Sequence, residues 1–442
     1  MTKNTIANDL LYGRKKICFF GIGYIGFTSA IAYASKGVKV LAYDIEPTRV
    51  ELFREGKTSV PNLREWLGFD PTVLARHGLL DATTDWQDLI VPENNVFVVA
   101  VPTEKNGFPF KDYVMDVLEK IATTKTKHPL ILIESTISMN FLPDIIYPIL
   151  CRGLGLGNFS VGVIPRRDWF DEDSSHTLKN MPRVVGVDND TMREEIENIV
   201  RIVSPDVRRA SSCKIACLTK QVENCIRMIE IGTAIQLSNA YPRTGMLEAL
   251  NLAGQKWNIP TLFGSCRVSG YCLNIAPLYL QLSAEHPEEL TLLSAALQTN
   301  DNQPAIVAQA IANRGVKKVL ILGLSYKADV PVWTESPSIQ LSKNLEHLGI
   351  ETRVHDPYFS AQIIKEKCGI EGVEGDFLQL IPDYDAIVLI SGHREYKSIP
   401  KTSLLNAMKN TKLIIDNDGS WDRIDFGVIE YQRIGTPGWR GE

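Results

Sequence analysis

Residues 16–44 read KICFFGIGYIGFTSAIAYASKGVKVLAYD. The apolar run Lys16–Phe20 has the length of a buried strand. Glycines interrupt it, a small-residue stretch from Thr28 to Lys36 suits a helix, and a second apolar run, Val38–Tyr43, ends in Asp44. The stretch therefore predicts a strand, a tight turn, a helix and a parallel strand. Gly21-Ile22-Gly23-Tyr24-Ile25-Gly26 has GxGxxG spacing directly between strand and helix. The glycines permit the turn, the approach of a pyrophosphate and close helix–strand packing, and the helix N-terminus offers amide donors to phosphate. A carboxylate at Asp44 suits the adenosine ribose and repels a 2′-phosphate, which favours NAD over NADP. Arg49, five residues on, opposes that preference because it could attract the phosphate.

Outward from this stretch, strand-like runs follow at Asn95–Val101, Leu130–Glu134 and Val161–Ile164. From Lys214 to Ala240 there is no proline and only one glycine, Gly232, with apolar residues at helical spacing, which predicts one long helix. Leu218, Val222, Ile226 and Ile229 suggest that this helix lies in the protein interior. At Val316 the opening pattern returns: an apolar run to Leu322, Gly323, a helix from about Ser336 to Leu348, and a run from Glu351 to Asp356. The expected fold is α/β, with two Rossmann-like doubly wound domains joined by a central helical domain. Its boundaries fall at residues 1–202, 203–302 and 303–442. Ligands of such sheets sit at the carboxyl ends of the strands.

Composition narrows the function classes. A chain of 442 residues exceeds one ordinary hydrophobic core, and 22% charged residues suit a globular enzyme. The net charge of −5 offers no basic stripe for a nucleic-acid partner. Apolar runs stop well short of a membrane span, and the first sixteen residues lack the pattern of a secretory signal, so a cytoplasmic protein is expected. Eight cysteines are scattered without CxxC or Cys/His clusters, which argues for reduced thiols and against a metal site.

Several short stretches share their order with one family. They are Val101-Pro102-Thr103, Glu134-Ser135-Thr136, Lys220-Gln-Val-Glu-Asn224, Gly270-Tyr271-Cys272-Leu-Asn-Ile-Ala276-Pro277, and Gly323-Leu-Ser-Tyr-Lys327 with Glu335-Ser336-Pro337. Over nearly its whole length the chain resembles the UDP-glucose/GDP-mannose dehydrogenases. The resemblance implies oxidation of the primary alcohol of a nucleotide sugar, most readily a UDP-sugar, to a uronic acid in two hydride transfers. Cys272 occupies the nucleophile position, where it would hold the aldehyde as a thiohemiacetal. Cys266, in a tripeptide like another version of the family loop, is its rival. Lys220 and Asn224, four residues apart on one helix face, suit a developing oxyanion. Val101, Pro102, Thr103 and Ser135 fall among the cofactor contacts, and Thr136 near the nicotinamide and a catalytic water. Arg267 and Lys327 are candidate ligands for phosphate or sugar. The resemblance also implies a homodimer formed through the central helix.

Two family acids are absent. Pro165-Arg166 stands where a Pro-Glu dipeptide is expected, and Ala276 stands where an aspartate follows the cysteine. A cation in place of a carboxylate inverts the local field. Three readings follow: the full alcohol-to-acid oxidation, a single hydride transfer on an atypical sugar whose charge Arg166 meets, or a silent relative that only binds.

Overall fold

The computed structural model describes residues 5–58, 67–167 and 180–442. Two compact units result, Met1–Glu223 with Leu278–Pro287, and Asn224–Pro277 with Glu288–Glu442. Residues 203–302 are divided between these two units. The four buried apolar clusters are built on the strands of one or other sheet, and the central residues that enter them, such as Ala216, Cys217 and Cys266, join those clusters.

In the first unit the strands are β1 (Lys16–Phe20), β2 (Lys39–Tyr43), β3 (Leu80–Thr83), β4 (Val96–Val99), β5 (Leu130–Ile133), β6 (Ser160–Val163), β7 (Arg183–Val187) and β8 (Val207–Ala210). They form one sheet in the order β8-β7-β6-β5-β4-β1-β2-β3, parallel except where β6 meets β7. All four residues of β4, β5 and β6 are buried, so these strands are covered on both faces, as in a parallel sheet flanked by helices. The strand order reverses between β1 and β4, where Phe20 pairs with Val99. That switch point leaves a crevice at the carboxyl ends, beside the glycine turn.

Helix α1 (Tyr24–Ala34) begins four residues earlier than the small-residue stretch suggested, inside the glycine motif itself. The long helix, α2 (Cys213–Ala240), has the predicted extent. Its surroundings differ from expectation: Val222 is 43% and Ile226 54% exposed, while Leu218 and Ile229 are half-buried. Apolar residues lie on more than one side of this helix, and an apolar pattern alone does not say which side a core covers.

The second unit holds the first residues of α3 (Tyr271–Ser283), then α4 (Thr291–Ala312) and α5 (Pro337–His347). Its sheet comprises β9 (Lys318–Leu322), β10 (Glu351–His355), β11 (Ala386–Leu389), β12 (Leu413–Asp416) and β13 (Glu430–Gln432), in the order β10-β9-β11-β12-β13. All its strand pairs are parallel, and the switch point lies between β9 and β11. Among the described residues no helix is long and apolar enough to cross a membrane.

Candidate active site

The glycine motif forms the turn between β1 and α1. Gly21 has φ +92°, and a Cβ there would lie 2.7 Å from the carbonyl oxygen of Ala100. At Gly26 a Cβ would fall 1.9 Å from the Gly21 oxygen, so a side chain cannot be accommodated without moving the helix start. Gly23 differs: nothing among the described residues lies within 4 Å of a Cβ built there. Gly23 also caps α1 without a side-chain hydrogen bond. Two glycines thus serve close packing, and the third opens space in front of helix amides, which is the shape a pyrophosphate needs.

Asp44 is buried and acts twice on this turn. Its Oδ2 accepts from the Ile22 amide at 2.9 Å, and its Oδ1 accepts from the Glu46 amide at 3.0 Å. Each oxygen keeps a lone pair for a ribose hydroxyl. Arg49, half-exposed, points its Nη1 at Asp44 Oδ1 from 3.6 Å. Its charge is therefore drawn to the acid that prefers the unphosphorylated ribose, and the residues fit NAD.

The loops after β4 and β5 are stitched together beside this turn. Ser135 Oγ donates to the Val101 oxygen at 2.7 Å, and Thr103 Oγ1 donates to the Thr136 oxygen at 2.6 Å. Val101 also lines the turn, 3.1 Å from a Cβ built on Gly21. Pro102 is exposed and Thr136 half-buried. Gln221, on α2, donates to the Ile137 oxygen at 2.8 Å, which ties this loop pair to the helix that carries Lys220. Lys220 is half-buried on α2.

Arg166, the cation in place of a family acid, is turned inward. It is 5% exposed and donates through Nη1 to the Ile25 oxygen at 3.1 Å and Ser29 Oγ at 2.6 Å, and through Nη2 to Thr28 Oγ1 at 3.0 Å. Glu134 lies behind, accepting from Ser29 Oγ and from Arg183 Nη2, with Arg166 Nη1 at 3.8 Å. Sequence reading singled out Arg166 but not its partners; the polar pair Thr28-Ser29 on an otherwise apolar helix was the available signal.

In the second unit, Cys272 is exposed at the start of α3. Asn224 is buried, and its Nδ2 donates to the Cys272 oxygen at 3.2 Å. The preceding loop is held at many points. Asn274 Nδ2 donates to the Val268 and Gly270 oxygens, and Asn300 accepts from the Val268 amide at 2.7 Å. Gly270 has φ +82°, and a Cβ there would come 2.9 Å from the Tyr326 ring. Ser269 Oγ donates to the Tyr326 oxygen at 2.9 Å, so the cysteine loop rests on the loop that carries Lys327, itself half-buried. Cys266 is 1% exposed, and burial pushes its thiol up to about 12. An inert, enclosed thiol cannot meet a substrate aldehyde. Arg267 is largely buried and paired with Asp301 and Glu335 of the same unit, at 3.2 and 2.7 Å. Ala276 is buried.

The β9–α5 turn repeats the first unit's arrangement with a different outcome. Asp356 Oδ2 accepts from the Leu324 and Ser325 amides at 2.7 and 2.8 Å, from Ser325 Oγ, and from His393 Nε2 at 3.1 Å. His393, fully buried, accepts at Nδ1 from the Asp329 amide at 2.8 Å. Burial raises the Asp356 carboxyl, but the hydrogen bond from His393, then those from the Ser325 and Tyr358 amides, bring it below the usual aspartate value. No motif announces His393, because its role depends on a strand pairing that brings β11 beside β9.

Fold and first turn define an NAD-dependent oxidoreductase with a second nucleotide-binding unit. Two family models match the chain: the NAD binding domain of the UDP-glucose/GDP-mannose dehydrogenase family over residues 15–204, and the UDP binding domain of the same family over residues 320–423. The chain belongs to the UDP-glucose/GDP-mannose dehydrogenase family, whose members oxidise nucleotide sugars with NAD. It is 27% identical over 431 residues to UDP-N-acetyl-D-glucosamine 6-dehydrogenase of Pseudomonas aeruginosa, covering 92% of this chain and 98% of that protein. It is also 27% identical over 435 residues to UDP-N-acetyl-D-mannosamine dehydrogenase of Methanocaldococcus jannaschii, covering 94% and 96%. The structure of UDP-D-ManNAc dehydrogenase from Pyrococcus horikoshii superposes with a TM-score of 0.82 at 24% identity, over 96% of this chain and 99% of that one.

Proposed function

We propose that this protein oxidises the primary alcohol of a UDP-N-acetylhexosamine to the uronic acid through Cys272. The observation that carries the proposal is the exposed thiol of Cys272 at the start of α3, its backbone gripped by the buried Asn224 amide. The substrate class follows the relatives named above, which act on UDP-N-acetylglucosamine and UDP-N-acetylmannosamine. NAD supplies a hydride acceptor for each of the two oxidations. Between them, the Cys272 sulfur adds to the aldehyde carbon, and the aldehyde oxygen takes up a proton to give a thiohemiacetal. Loss of the second hydride and the hydroxyl proton leaves a thioester, and water then releases the acid and the thiol. Lys220 and Asn224 steady the oxyanion that develops on the sugar carbon. Thr136 holds the catalytic water, and Lys327 meets the diphosphate.

Ala276 favours a second reading. Its buried methyl supplies no carboxylate beside the cysteine loop, and Arg166 is a cation, so hydrolysis of a thioester lacks both acids that the resemblance calls for. A thioester that cannot be hydrolysed blocks turnover, so the protein would act only by releasing the sugar at the aldehyde, after one oxidation. Purified protein with NAD and UDP-N-acetylhexosamines decides: two reduced cofactors per sugar support the proposal, one supports the second reading, and binding without reduction overturns both.

The central residues 203–302 are proposed to serve dimerisation as well as the active site. The exposed Val222 and Ile226 on α2 support pairing with a second copy. A cytoplasmic location fits the reduced-thiol pattern and a cofactor and substrate that are cytoplasmic metabolites.

A further inference from the structure

We infer that Arg166 is a positioning residue for the cofactor's pyrophosphate, acting through the first two turns of α1. Three acceptors of that helix receive its guanidinium: the Ile25 oxygen, Thr28 Oγ1 and Ser29 Oγ. Ile25 belongs to the glycine motif, two residues beyond the open Gly23. Thr28 Oγ1 passes the hold forward, since it also bonds the Tyr24 and Ile25 oxygens, each at 3.0 Å. The fork therefore fixes the stretch whose amides face the phosphates.

Electrostatics gives the same direction. The N-terminal end of a helix carries partial positive charge, so a buried cation beside it favours additional negative charge there. Glu134, at 3.8 Å from Nη1, supplies part of this from behind. A bound pyrophosphate supplies it from in front, where the field of Arg166 adds to that of the helix amides. A planar fork suits this position better than an ammonium, because acceptors at Ile25, Thr28 and Ser29 diverge and two guanidinium nitrogens reach all three.

The test compares ligands with and without the pyrophosphate. ADP-ribose, adenosine and UDP are titrated into wild type, Arg166→Gln and Arg166→Lys, each checked for a native circular dichroism spectrum. Arg166→Gln is expected to weaken ADP-ribose about tenfold while adenosine and UDP stay within about twofold, and Arg166→Lys to recover part of the loss. Unchanged ADP-ribose affinity overturns the inference. So does an equal loss for adenosine, which marks a collapsed pocket, or a selective loss for UDP, which marks a substrate contact. Should Arg166→Gln not fold, Arg166→Lys decides alone: a loss of about threefold confined to ADP-ribose is expected, and wild-type affinity overturns the inference.

Discussion

The side-chain amide of Asn224 donates to the main-chain oxygen of Cys272 at 3.2 Å, joining the long helix to the first turn of the helix that displays the thiol. The relationship concerns backbone, so it survives changes at the sulfur and fixes where the sulfur is offered.

Thiol labelling reads that display directly. Burial pushes the thiols of Cys18, Cys213, Cys225 and Cys266 up to about 12, whereas Cys272 is exposed. A single fast-reacting thiol is expected with iodoacetamide near neutral pH, and peptide mapping should find it at Cys272. Cys272→Ser should remove that phase and acid production together. Fast labelling that persists in Cys272→Ser would move the nucleophile elsewhere.

As the proposed acceptor for the ribose hydroxyls, and with Arg49 Nη1 3.6 Å from its Oδ1, Asp44 is expected to set the cofactor choice. Asp44→Ala should lower kcat/KM for NAD by about tenfold or more and narrow its margin over NADP, because the released guanidinium is then available to a 2′-phosphate. Steady-state kinetics with both cofactors check this; an unchanged ratio would show that Arg49 points away from the ribose.

Gly26→Ala introduces a methyl carbon 1.9 Å from the Gly21 oxygen. NAD binding should be lost, and stability should fall by about 1–3 kcal/mol as the helix start shifts. UDP binding, measured by calorimetry, should persist.

Asp356 makes stability depend on acidity. Its folded-state pKa lies below the ordinary 3.8, so its contribution is fully present above that value and is lost as pH falls through the folded pKa. Asp356→Asn should cost about 1–3 kcal/mol at neutral pH, since one acceptor oxygen is replaced by a donor facing donors. Urea unfolding across pH should show the gap between variant and wild type closing in acid. A gap that persists there would assign the loss to packing.

Much of the first unit was legible in the sequence, because residues 16–44 pack turn, helix and acid into one continuous stretch whose spacing is fixed by backbone geometry. The extent of α2 was equally plain from its lack of breakers. Its orientation was not: Val222 and Ile226 are apolar yet exposed, and a helix with apolar residues on several sides has no single readable face. The inward turn of Arg166 and the His393–Asp356 contact were hidden for another reason. Each joins residues far apart in the chain, at separations of 137 between Arg166 and Ser29 and 37 between His393 and Asp356, and only strand order brings them together.

The repeated acid at the end of each second strand carries one more consequence. Asp44 meets two amides and keeps an edge for a sugar diol, whereas Asp356 is sealed from solvent with two amides, a hydroxyl and an imidazole on a single oxygen. An adenosine ribose that reached the second turn would find its usual host already occupied by the protein itself. The sheets share a blueprint, yet the acid of the second is spent within the protein, so a dinucleotide is expected to settle at the first turn and to leave the second to the sugar nucleotide.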